Sequence, residues 1–99
     1  MVAYSFKERL VDEGETKAII ITKKKEALLV NILESDLVLL DNLNLEQFMI
    51  NYLSLSFDWF LSNDLVMASL SKTNDLQLIN FRLNQNELVI MKSYVIHDV

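Results

Sequence analysis

The chain has 99 residues, 52% of them apolar, with one glycine, one histidine, no proline, no cysteine and a formal net charge of −5. That length supports one domain with one modest core, and the apolar content is too high for a disordered chain. The missing cysteines exclude disulfide frameworks, thiolate metal centres and cysteine nucleophiles, and a single glycine excludes phosphate-cradling loops, dinucleotide fingerprints and nucleophile elbows.

In chain order, Val2, Tyr4 and Phe6 alternate with Ala3, Ser5 and Lys7, which predicts a first strand to about Val11. Ser5 with Glu8 also fits the capping box of a short helix closed by Gly14; the strand is preferred. Asp12 to Glu15 reads as a turn with Gly14 at positive φ. Thr16 to Thr22 holds three consecutive isoleucines and predicts a second strand. A lysine turn (Lys23, Lys24, Lys25) follows. Ala27 to Leu33 is assigned to a strand, because a helix would set three lysines against its own dipole. Glu34 to Asp36 is a turn and Leu37 to Leu40 a short strand.

Residues 44–61 read as one long central helix. Asn44 is a good N-cap, Gln47 a capping-box partner, and Glu46 suits the first turn. Gln47, Asn51, Ser54 and Asp58 share a narrow polar face. The apolar arc around the rest is roughly twice the usual width of about 100°, so this segment needs a second surface to cover it. The period-two pattern of 53–59 supports an alternative, a helix ending near 54 followed by a strand. Strands at Leu65–Ser71, Leu76–Leu83 and Glu87–Ile96 complete a three-stranded meander, with Asn and Asp at the turns standing in for glycine. The expected fold is a single α+β domain over residues 1–99, one layer of helix on an antiparallel sheet.

Charge is lopsided. No lysine or arginine lies between Lys25 and Lys72, whereas Glu26, Glu34, Asp36, Asp41, Glu46, Asp58 and Asp64 do. Such a field attracts basic partners and repels nucleic acid. The acidic turns at Asp12–Glu15 and Glu34–Asp36 are read as solvated rather than cation-binding, Lys23–Lys25 as a solvated hairpin break, and His97 as a tail residue. No run reaches membrane-spanning length and no secretory signal opens the chain, which leads to an expected cytoplasmic location. No stretch resembles a known family.

The reading that follows is a small acidic protein-binding module, not an enzyme, with no cofactor and no metal, acting by association with a protein that presents a basic surface. Inhibitors, immunity proteins, anti-defence proteins and chaperone-like adaptors share this profile. A homodimer is expected, by helix packing or sheet-edge pairing. The runner-up is a homo-oligomeric structural or small-ligand-binding subunit. The interface candidates are Asp36, Asp41 and Asp58 for steering, and Tyr52 and Trp59 as aromatic anchors.

Overall fold

The computed structural model describes residues 3–12, 15–59 and 63–99. Eight strands carry the fold: β1 (Ala3–Asp12), β2 (Glu15–Thr22), β3 (Glu26–Ile32), β4 (Leu37–Asn44), β5 (Leu55–Trp59), β6 (Asp64–Leu70), β7 (Leu76–Asn84) and β8 (Glu87–Ile96). They form two antiparallel meanders, β1-β2-β3-β4 and β5-β6-β7-β8. The two sheets pack face to face, with β1 beside β5 and β4 beside β8. The core lies between them. Ile19, Ile21, Ala27 and Leu29 of the first sheet meet Leu65, Met67, Ile79, Phe81, Leu83 and Leu88 of the second. Register explains the choice of residues. Ile19 pairs with Leu29 and Ile21 with Ala27, while Met67 pairs with Ile79 and Leu65 with Phe81, so period-two alternation sends each pair to one face.

The expected α+β architecture is overturned: among the described residues there is no α-helix. The segment read as the helix 44–61 is a plug followed by a strand. The Asn44 capping signal is used, but only locally. The Glu46 N–H donates to Asn44 Oδ1 (2.7 Å), an Asx turn that no helix continues. Asn51 Oδ1 accepts from the Leu53 N–H and caps a single 3₁₀ turn at Tyr52–Ser54. The runner-up is right about the strand at 55–59 and wrong about the helix before it. Residues 60–61 lie outside the described part.

The plug accounts for the excess of apolar side chains. Leu45 is fully buried, and Phe48, Ile50 and Tyr52 pack partly buried against the same core. The segment crosses the end of the sandwich formed by the β2–β3 and β6–β7 turns. The Leu45 N–H donates to the Lys25 carbonyl (2.8 Å), and the Asn51 N–H donates to Ser69 Oγ (2.6 Å). Asn51 Nδ2 also donates to the Leu70 carbonyl (2.8 Å). One short stretch thus ties the first sheet to the second. The opposite end is tied by Lys17, a buried residue of β2 whose Nζ donates to the Gln85 carbonyl and to Asn86 Oδ1 in the β7–β8 turn.

Most remaining expectations match. The first strand, the second strand and the meander of β6, β7 and β8 are present, and β8 has the expected bounds. The strand expected at Leu37–Leu40 continues to Asn44. The turn centred on Gly14 lies outside the described residues, as does Ser62. Asn74 takes a positive φ (64°) as anticipated, but Lys25 (59°) and Gln85 (57°) do so at the β2–β3 and β7–β8 turns. Left-handed backbone at a lysine and a glutamine costs more than at asparagine, so local turn chemistry alone does not set those two hairpins.

Candidate functional site

Two kinds of surface stand out from this frame: shallow depressions and exposed apolar strips. One depression of about 390 Å³ is lined by Lys24, Glu26, Asn42, Asn44 and Glu46. Another of about 410 Å³ is lined by Ser56, Asp58, Val66 and Ala68 on the outside of the second sheet. Among the described residues no three His, Asp or Glu side chains group as a metal ion requires. No helix is long and apolar enough to cross a membrane.

The apolar strips lie on the sheet surfaces. The outer face of the first sheet reads, across β2, β3 and β4, as three rows: Ile20, Leu28 and Asn42; Ala18, Val30 and Leu39; Thr16, Ile32 and Leu37. Ala18 and Val30 are buried. Leu37 (55%) and Leu39 (58%) are the open part, and Ile20, Leu28 and Ile32 are half-buried. Beyond the lower row stand Glu34 and Asp36 in the β3–β4 turn. Beyond the upper row stand Glu26 and Glu46 together with the lysine turn Lys23–Lys25. The second strip is the last half of β8, where Met91, Tyr94, Val95 and Ile96 are exposed on an edge strand.

The five candidate residues do not form one patch. Asp36 is exposed in the β3–β4 turn, and its Oδ1 accepts from the Leu37 N–H (2.8 Å). Asp41 lies where β4 meets β8. Its Oδ1 accepts from the Asn42 N–H (2.9 Å) and its Oδ2 from the Leu88 N–H of the other sheet (2.8 Å). Asp58 is on the far sheet, with Oδ1 accepting from the Trp59 N–H (2.8 Å). All three carboxylates therefore accept from the next residue's amide, at or within the edge strands β4 and β5. A charge placed there protects a sheet edge from pairing with another strand.

The two aromatics face inward. Tyr52 and Trp59 are half-buried and pack against the core. The Tyr52 hydroxyl donates to the Thr22 carbonyl (2.5 Å), and burial pushes its pKa up. Tyr52 thus holds the plug to β2. Tyr52→Phe leaves the buried Thr22 carbonyl without that donor and should lower stability by about 1 kcal/mol, read as a shift in the urea midpoint at constant slope.

Asp64 is also committed to structure. It is buried on β6 and receives Arg82 Nε at Oδ1 (2.8 Å) and Nη2 at Oδ2 (3.0 Å). Hydrogen bonds from the Arg82 guanidinium hold its carboxyl below the usual carboxylate range, against the opposing effect of burial. A folded-state pKa below the unfolded value stabilises the fold above the ordinary carboxylate range, and that contribution fades as pH falls through the lowered value. Asp64→Asn should therefore be less stable than wild type at neutral pH, and its stability should fall less on acidification. Parallel unfolding curves at neutral and acid pH that stay equally far apart would contradict this.

The residues that sequence reasoning passed over are Leu37 and Leu39. Their signal is the run Leu37-Val38-Leu39-Leu40, which lacks the polar alternation of a strand with one wet face. No protein-family model, curated protein or solved structure matches the chain.

Proposed function

We propose that this protein is a non-catalytic binding module that associates with a protein bearing a basic surface, in the manner of an inhibitor, immunity protein or adaptor, in the cytoplasm. One observation carries the reading. The outer face of the first sheet exposes Leu37 and Leu39 beside half-buried Ile20, Leu28 and Ile32, with the acids Glu34 and Asp36 at one end and Glu26 and Glu46 beside the Lys23–Lys25 turn at the other. A contiguous apolar surface with a charged rim is the anatomy of a protein interface. Acidic groups on the rim speed encounter with a basic partner, and apolar contact then holds it. The test is affinity capture from the source organism's lysate at low and high salt. The expected result is a basic protein retained at low salt and released at high salt, since exposed charges are screened within a Debye length. Retention independent of salt, or no retained protein, would overturn the reading.

A second reading rests on β8. Its unpaired edge with exposed Met91, Tyr94, Val95 and Ile96 supports self-association as a homodimer by strand pairing. Sedimentation at rising concentration tests it. A dimer that Val95→Lys converts to monomer is the expected result, and a monomer throughout the micromolar range would remove this reading.

A further inference from the structure

We propose that a second copy of this chain packs face to face on the outer surface of β5, β6, β7 and β8. This inference is independent of the binding-module reading, and its geometry differs from strand pairing at the β8 edge.

Register lays the face out in rows. One row runs Ser56, Ala68, Leu78 and Tyr94 across the four strands, and the next runs Asp58, Val66, Asn80 and Lys92. Leu70, Leu76 and Ile96 form a row on one side of these, and Asp64, Arg82 and Val89 a row on the other. The relief is uneven. On the β5–β6 side, the small side chains of Ser56 and Ala68 lie in the depression of about 410 Å³, with Asp58 and Val66 as its other walls. On the β8 side of the same row, Tyr94 stands out into solvent.

The two halves fit each other. Take a two-fold axis in the plane of contact, parallel to the strands and midway between β6 and β7. It lays β5 on the other copy's β8 and β6 on its β7, so each row meets its own reverse. Tyr94 of each copy then enters the depression of the other. Facing sheets stand about 10 Å apart, so a large side chain on one needs small ones opposite.

Charge selects the same arrangement. Asp58 on β5 comes to lie against Lys92 on the other copy's β8, twice by symmetry. The four rows hold two acids, Asp58 and Asp64, and two bases, Arg82 and Lys92, so the contact brings no like charges together. Glu87 lies beyond the rows at one end, and Lys72 and Asp75 in the β6–β7 turn at the other. An axis across the strands would instead set β5 on β5 and β8 on β8, with each copy's acid on the acid's side of its mate. A foreign partner of one sign would meet like charge at one edge of the face.

Four strands at about 4.8 Å and seven residues at about 3.3 Å make a face of about 450 Å². That is below the roughly 800 Å² each side of a standard interface contributes, so a reversible dimer is expected.

The experiment sediments the 99-residue chain from about 10 μM to about 1 mM. Wild type should pass from monomer to dimer. Tyr94→Ala should weaken the dimer about tenfold or more. Asp58→Lys and Lys92→Asp should each weaken it several-fold, because each sets like charges opposite, and the double variant Asp58→Lys/Lys92→Asp should restore it. A variant that merely damaged the fold would not be rescued by the second substitution. Tyr94, Asp58 and Lys92 are exposed, so circular dichroism should show the fold intact. Val95 pairs with buried Gln77 and so lies on the other face of β8; Val95→Lys should leave the dimer in place.

A monomer at every concentration, a dimer indifferent to Tyr94→Ala, or single charge swaps that the double variant does not rescue would each overturn the assignment. A dimer that Val95→Lys dissociates would also overturn it, in favour of strand pairing. None of these outcomes touches the binding-module reading, whose lysate capture concerns the opposite sheet.

Discussion

Leu45→Ala should destabilise the protein by about 2–5 kcal/mol, while Leu53→Ala, eight residues on, should change it by less than about 0.5 kcal/mol. Both leucines fall on the same broad apolar arc if residues 44–61 are drawn as a helix. In the structure they differ completely: Leu45 has no exposed surface and Leu53 is 84% exposed. Leu45 sits where the plug enters the end of the sandwich. Its own N–H is bonded to Lys25, and its side chain joins the core cluster. Removing it leaves a cavity that two packed sheets cannot easily close. A small domain has only about 5–15 kcal/mol of net stability, so the loss should be plain in a denaturant midpoint. Equal effects at the two sites would mean that this segment is not the plug described.

Asp41→Ala should cost about 2–3 kcal/mol, against almost nothing for Asp58→Ala. The two acids look alike in the sequence, each following an apolar residue in the lysine-free stretch. Asp41 alone accepts from amides of both sheets, Asn42 in β4 and Leu88 in β8. Leu88 is buried, so its N–H has no ready access to replacement water. Asp58 accepts from its neighbour Trp59 at an exposed site. Urea midpoints of the two variants decide this, and a large loss from Asp58→Ala would refute the assignment of roles. The same pair separates structure from steering. A reduced partner affinity in Asp58→Ala with stability intact would make that acid an interface group after all.

The strands were largely legible in the sequence because they obey local rules. Three isoleucines favour β2 wherever it packs, and the alternation in β7 places Ile79 and Phe81 on one face. The fate of residues 44–54 was not legible. Asn44 and Asn51 make the side-chain bonds that a helix start would make, and nothing nearby announces that the chain will not continue helical. What overrides them is tertiary: an open sandwich end that needs Leu45, Phe48, Ile50 and Tyr52 to fill it. The apolar breadth of the segment was the available clue, since it demanded more than one covering surface. That the surfaces are the ends of two sheets could not be read from one chain.

The candidate surface was harder still. Tyr52 and Trp59 are the residues that composition points to as interface anchors, yet here they pack on the core. Leu37 and Leu39 resemble any buried strand until β4 is placed at the edge of its sheet with an open outer face. Edge position depends on the order of strands, which local pattern does not encode.

We propose binding through the outer face of the first sheet. The most direct test captures partners from the native lysate side by side on wild type and on Leu37→Ser/Leu39→Ser, at low salt. A basic protein that wild type retains and the double variant releases is the expected result. The same protein retained equally on both would contradict it.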